Sequence, residues 1–371
     1  MGGACGSPRG FLLFLSVWWL AFVVSAQSVV APPSSQIQRF IGESQAPLRF
    51  LEVRTFYTAD TNVRPLLRQT LRTEFSAERG YLTGASAYEA RLRWECWELC
   101  YAYGLADLFE GDSGAARLLL EAEQNRLRPD TSYTVNASLN RSAVHRWTLA
   151  YHGESHAASR HLQYQVRLSY LHLQRVQLGW LQGQKRGDSF TGSFTLLTTR
   201  GVPAPQIGGY GYALGAGASL EVGDWTVSAH IDNLWSMLSV RTIQRIEATV
   251  QMNQLTPDAD GFLRAPPLLE GRVSETAMRR TLRPRTELTL WRRESSRRYG
   301  LLAMQDEQWR VALIGGWEIS GGTLWTAYWQ PRPMLWLGYT HRNWSITLGA
   351  DSLNTGALRR FSGEVSWRLP L

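Results

Sequence analysis

Few residues of this chain have the type and spacing that chemistry requires, and each group has a plain structural reading beside the functional one. His152-Gly153-Glu154-Ser155-His156 brings two imidazoles and a carboxylate close together. The order differs from the His-Glu-x-x-His helix that binds zinc, so the segment reads as a polar loop. Ser228 and His230 lie two positions apart, which on a strand puts both on one face. Acyl transfer needs such a pair with a third group to orient it, but most polar residues of that segment share the face. Cys96 and Cys100 are a candidate disulfide. On one straight strand their Cα atoms would be ~13 Å apart, too far to bridge. The apolar parity switches at Trp97, which reads as a tight turn that could bring the sulfurs together. A bridge and two free thiols both stay open. No catalytic residue, metal ligand or cofactor is assigned.

Ionic chemistry is better represented. The 371 residues include 39 basic and 31 acidic side chains, a net charge of +8, and every basic residue except Lys185 is an arginine. Glu52 and Arg54, Arg72 and Glu74, and Glu89, Arg91, Arg93 and Glu95 sit at alternate positions. On strands, each set occupies one face, where charges of both signs can pair across neighbours along a wet lumen. A packed sandwich core could not hold them. These eight residues are expected to line a lumen, and the arginine excess would favour anions there. No phosphate loop, dinucleotide fingerprint or nucleic-acid module appears, so the positive charge is read as a lumen and surface property. Nucleic acid is not an expected partner.

The elements that must position these charges are strands. Tyr88, Ala90, Leu92, Trp94 and Cys96 alternate with charged residues, and Leu162, Tyr164, Val166, Leu168 and Tyr170 alternate with polar ones. Such segments have one apolar and one polar face. A soluble sandwich alternates in the same way, but three features select a membrane barrel. One is the ionic face. Another is the placement of Trp147, Trp225, Trp309 and Trp344, each read as opening a strand after a turn, as an interfacial aromatic girdle requires. The last is the C-terminus, where Phe361, Val365, Trp367, Leu369 and Leu371 share one parity. It resembles the terminal strand of bacterial outer-membrane barrels, and that resemblance implies the barrel-assembly machinery as a partner. Those strands end on an aromatic residue, from which Leu371 departs.

An internal repeat adds to this. Asp224-Trp225-Thr226-Val227-Ser228-Ala229-His230-Ile231-Asp232-Asn233-Leu234 matches Asn343 to Leu353, with Asp seven residues after Trp in each copy. Repeated hairpins of one kind build a meander barrel. The glycine-rich segment Gly209 to Leu234 resembles the hairpin of FadL-superfamily outer-membrane proteins, closest in phrase to the PorV-type and plasmid-transfer TraF-like barrels. The resemblance implies an outer-membrane barrel and carries no ligand with it.

The expected organisation follows. Residues 1–26, with the apolar run Phe11 to Val24 and small residues at Ser25 and Ala26, read as a cleaved signal peptide. Residues 27–48 read as a periplasmic leader, and 49–371 as an antiparallel up-and-down transmembrane β-barrel. At roughly 10 residues per strand and 10 per connection, 14 to 18 strands are expected, with about 16 as the central value. Residues 252–281 read as a long non-strand insertion. If Thr323 to Thr340 is one long strand, the repeated Trp turns all fall on the periplasmic side. The insertion then does too, where it could dock a periplasmic protein. The expected function is a non-enzymatic channel or transporter for small or amphipathic solutes, seated in the lipid of a bacterial outer membrane. The alternatives are an assembly barrel that docks a periplasmic or secretion-system partner, and a secreted soluble β-protein.

Overall fold

The computed structural model describes residues 49–61, 79–123, 130–157, 160–187, 189–202, 207–252, 256–257, 263–264, 268–305, 309–354 and 357–371. The expected signal peptide and leader, and Arg72 and Glu74, lie outside them. The strands in chain order are β1 (Arg49–Thr61), β2 (Arg79–Trp94), β3 (Trp97–Asp112), β4 (Ser132–Ala157), β5 (Arg160–Arg186), β6 (Ser189–Thr198), β7 (Gly209–Val222) and β8 (Trp225–Met252). Two short ones follow, β9 (Thr256–Pro257) and β10 (Leu263–Arg264), which pair only with each other. The rest are β11 (Leu268–Arg280), β12 (Arg285–Glu294), β13 (Arg297–Gln305), β14 (Trp309–Ile319), β15 (Gly322–Gln330), β16 (Met334–His341), β17 (Trp344–Ala350) and β18 (Arg360–Pro370).

Neighbours pair antiparallel, and the sheet closes. β18 pairs with β1 from Phe50↔Pro370 to Asp60↔Arg360. On the other side, β5 is paired along its first half by β7 and along its second half by β6. β8 takes the same two strands on its own edge. Thus β6 and β7 fill one position of the ring in succession. β11 and β12 likewise share the other edge of β8. The ring of described strands has 14 positions, inside the expected range. It falls below the central value because two positions are each filled by two strands.

One end of the ring carries tight turns: Glu95-Cys96, Gly223-Asp224, Ser295-Ser296, Ser320-Gly321 and Arg342-Asn343, together with the C-terminus. Glu95, Gly223, Ser295 and Gly321 have positive φ, as the twist of two-residue hairpin loops demands. The other end carries the long connections, among them an α-helix, α1 (Ser113–Glu123). The Ala116 to Glu123 segment fits a strand or a helix on pattern alone. Asp112 decides it by accepting the Ala115 N–H at 2.7 Å, an N-cap. Gly114 lets the helix lie against β4, since a Cβ there would fall 1.7 Å from the Thr134 carbonyl oxygen. Ala115 and Leu118 then pack on Val135, Phe190 and Val250, where β4, β5, β6, β8 and β11 run on past the ring as an upper sheet.

Two expectations are corrected here. Thr323 to Thr340 is not one strand: Pro331-Arg332-Pro333 turns the chain between β15 and β16, because neither proline can donate to a ladder. Gln305 and Trp309 therefore lie at the long-connection end, opposite the turns before Trp225 and Trp344. Residues 252–281 hold a strand where a non-strand insertion was expected: β11 pairs with β8 from Leu268↔Gln251 to Arg280↔Leu238, which puts it at the long-connection end and not beside the C-terminus.

Outward parity is apolar all round. On β14, Val311, Leu313, Trp317 and Ile319 are exposed while Ala312 and Ile314 between them are buried. In hydrocarbon, a charge at the middle of that belt should cost about 2–4 kcal/mol. Leu313→Arg is therefore expected to lose that much stability in urea unfolding from lipid vesicles. Leu353→Arg, at a connecting residue that is 99% exposed, is expected to be neutral. Equal effects would mean that the belt is not lipid-facing.

Candidate functional site

Alternation turns every second side chain of the ring inward, and the inner wall has two kinds of surface. Across β18, β1, β2 and β3 it is ionic. Arg54 lies between Glu52 at 3.1 Å and Glu364 at 3.3 Å. Glu52 also meets Arg368 at 3.6 Å and Arg91 at 3.8 Å. Arg91 goes on to Glu89 at 2.8 Å and Glu98 at 3.4 Å, and His152 on β4 reaches Glu98 at 3.2 Å. Glu52, Arg54, Arg91 and Glu364 are each at most 3% exposed, so this is a desolvated ladder whose charges are held by opposite charges.

The facing arc, β12 to β16, is aromatic. Trp291, Trp325, Trp329 and Trp336 are buried with Leu302, Met304, Ala312, Ile314 and Ala327. Register explains how large rings fit flat on a strand wall. Trp291 stands opposite Gly300, Trp325 opposite Gly338, and Trp336 opposite Gly349. Each glycine leaves a notch. A Cβ at Gly338 would come within 2.2 Å of the Trp325 ring, and one at Gly349 within 2.7 Å of Trp336. The Nε1 atoms of Trp325, Trp329 and Trp336 are buried without a hydrogen-bond partner among the described residues. An unpaired indole N–H is a donor for any acceptor that enters.

Of the eight expected lumen charges, Glu52, Arg54, Glu89 and Arg91 belong to the ladder. Arg93 shares their face but its Nε reaches the carbonyl of Glu95, at 3.4 Å. Glu95 does not face the lumen: it occupies the β2–β3 turn and pairs with exposed Arg49 at 2.6 Å. The ladder arginines are matched by carboxylates, so the anion preference read from the arginine excess does not follow. Glu98, Glu364, Arg368 and His152 complete it. The signal for the three charged ones was present in the sequence as charge on the polar parity of the terminal and third strands.

The remaining candidates fall out differently. Cys96 sits in the turn and Cys100 on β3, and no disulfide joins them. The turn does form, but Cys96 is one of its two residues, Glu95-Cys96, so it carries Cys100 away rather than back. His152 and Glu154 lie on β4, not in a loop, and Glu154 meets His161 at 3.4 Å. The Ser228 hydroxyl bonds to Thr289 while His230 reaches Gln165, so the two do not make a nucleophile–base pair. Trp225 opens β8 and Trp344 opens β17 at the tight-turn end, and Trp309 opens β14 at the other. Trp147 opens no strand. It lies within β4, outward, against Tyr101, His145 and Tyr170, because the chain expected to turn before it stays paired with β5. On β18, Val365, Trp367 and Leu369 face outward, Leu371 just after it is exposed, and Phe361 lies beside Tyr57.

A closed antiparallel ring with a continuous apolar exterior and an interior that pairs its own charges is a membrane-spanning β-barrel. No family model matches the chain, and no curated protein does. Among solved structures it is similar to the toluene transporter TodX of P. putida, at 10% identity over 88% of this chain and 91% of that one, with a TM-score of 0.47. It is also similar to a FadL homologue of Pseudomonas aeruginosa, at 9% identity over 86% and 90% of the chains and a TM-score of 0.44. The monoaromatic hydrocarbon channel CymD gives 9% identity over 94% of each chain and a TM-score of 0.42. Likenesses at this level carry nothing about what this barrel holds or passes.

Two outcomes follow from the inner wall. Glu52→Gln leaves buried Arg54, Arg91 and Arg368 short of a counter-charge and should cost about 3–5 kcal/mol, measured by urea unfolding in vesicles. Pairing it with Arg91→Gln should cost less than the sum of the two single changes. Gly338→Val fills the notch under Trp325 and should destabilise the barrel by about 1–3 kcal/mol. The displaced indole should become open to an aqueous fluorescence quencher, and unchanged quenching would show that the ring does not depend on the notch.

Proposed function

We propose that this chain is a non-enzymatic barrel of the bacterial outer membrane, exported by its N-terminal signal, that passes small amphipathic solutes. One observation carries the reading: the inner wall is divided into an ionic arc and an indole arc. A lumen with one such wall of each kind offers an apolar face and polar groups to a single solute, as amphipathic ligands require. The N–H groups of Trp325, Trp329 and Trp336, unpaired among the described residues, support this, since they give an apolar guest with one acceptor a place to bond. The tight-turn end and the C-terminus belong on the periplasmic side in this reading, as in outer-membrane barrels generally. Contact with the assembly machinery through β18 belongs to the same reading.

A docking role is the second reading. It is favoured by β11, which pairs with β8 on one edge and with no strand among the described residues on the other. A partner there would approach from the long-connection end, not from the periplasm.

Purified barrel, shown to be folded by its faster migration on a gel without boiling, is expected to conduct in a planar bilayer. It should also admit amphipathic aromatic acids to vesicles faster than sugars of equal size. Folded protein that neither conducts nor admits either solute would end the channel reading and leave the docking role.

A further inference from the structure

Where the upper sheet leaves the barrel, three guanidinium groups gather on the outward face beside the aromatic girdle. Arg141 on β4 is bound through two bonds to Asp107 on β3, at 2.7 and 3.0 Å. Among the described residues, Arg175 on β5 bonds only to the uncharged Gln177, at 3.1 Å. Arg200, just after β6, is exposed, and its guanidinium makes no ion pair among the described residues. Gln177 and the backbone N–H of Arg200 both bond to the Thr198 hydroxyl, at 3.3 and 3.0 Å, which ties the two arginine-bearing segments together. The group thus holds three positive charges and one carboxylate, unlike the inner ladder, where every arginine has a carboxylate. Arg175 lies above the apolar belt. Its burial there, with Arg141 and Arg200 nearby, pulls its pKa below the ordinary arginine value. Like charges crowded where water is partly excluded are unfavourable unless an anion joins them.

Depth and direction say which anion. Tyr103 donates its hydroxyl to Gln174, adjacent to Arg175, at 3.2 Å. The Tyr103 ring lies 4.7 Å from His145, which stacks on the exposed Trp147, with Tyr170 and Tyr212 beyond. The arginines therefore sit immediately above rings that mark the edge of the hydrocarbon, the level at which lipid headgroups lie. A guanidinium fork matches phosphate oxygens in pairs. We propose that Arg175 and Arg200, braced by Arg141, bind the phosphate of an anionic lipid in the leaflet at the long-connection end, with its acyl chains along the Tyr103–Trp147–Tyr170 surface. This rests on the membrane-barrel architecture and not on the channel reading, so loss of conductance would leave it standing.

The test uses full-length barrel in neutral detergent micelles. Bound lipid is read by native mass spectrometry and thermal shift, with diphosphoryl lipid A, its dephosphorylated form, phosphatidylcholine and inorganic phosphate as probes. Wild-type protein is expected to bind the phosphorylated lipid at least about ten-fold more tightly than dephosphorylated lipid A or the zwitterionic phosphatidylcholine, whose choline offsets its phosphate. The Arg175→Gln/Arg200→Gln double variant should lose about ten-fold or more of that preference, while Arg342→Gln, at the opposite tight-turn end, should keep it. Should the double variant fail to fold on the gel assay, Arg200→Gln alone, with its exposed side chain, is expected to lose part of the preference. Double-variant or single-variant binding equal to wild type would overturn the site. Displacement of the lipid by an equimolar amount of inorganic phosphate would overturn its assignment to a lipid.

Discussion

Everything in this molecule depends on a backbone constraint: in hydrocarbon, each N–H and C=O must find a partner within the chain. A sheet with a free edge cannot meet it, and a ring can. The closure is not built from one repeated hairpin. β8 is long enough to need two neighbours on each edge, and β6 with β7, and β11 with β12, supply them in turn. The upper halves of these strands lie beyond the belt, where water can satisfy an edge. That is why β11 can keep an edge unpaired among the described residues while β12, lower on the same edge of β8, is sealed by β13.

Closing the ring creates a second problem on its inner face, because alternation delivers a side chain there at every second residue. The two arcs solve it by different means. The ionic arc offsets desolvation by giving each buried charge an opposite one. The aromatic arc uses shape, with Trp291, Trp325 and Trp336 each laid over a glycine of the next strand. A glycine weakens a strand when considered alone, but here the neighbouring ring covers the exposed backbone and regains apolar contact.

Period-two alternation made the strands, the polar parity of β1 and β2 and the outward face of β18 legible in the sequence. These are local properties, and a strand displays them within a few residues. The Pro331-Arg332-Pro333 turn was written there too, but the unbroken parity on both sides of it competed with the prolines. The ladder and the indole arc were only half legible. Glu52 and Arg54 announce a polar face, yet their partners Glu364 and Arg368 lie some three hundred positions away, and only the register joins them. The inward tryptophans were harder still. Sixteen tryptophans suggest a girdle, and nothing in Trp325 itself separates an inward from an outward ring. The distinguishing mark is Gly338 on the next strand, which becomes informative only once the two are aligned.

The position of the ionic arc is itself explained by closure. Neighbours such as β2 and β3 are joined by a tight turn, and the turn sets their register. β1 and β18 have no turn between them and come from opposite ends of the barrel sequence, so their side chains must set it. A slip of one residue would turn Glu52 and Arg54 out into hydrocarbon. A slip of two keeps the faces but breaks the charges: in one direction Arg54 comes opposite Arg368, and in the other Glu52 moves from Arg368 to Ser366. Only the observed register lets Glu52 reach Arg368 and Arg54 reach Glu364 together. Buried charge adds little net stability to a fold, but it penalises the wrong pairing heavily. Its concentration beside the seam where the two ends of the barrel sequence meet, with apolar packing on the β12–β16 arc where each strand pairs with the next in the chain, follows from that difference.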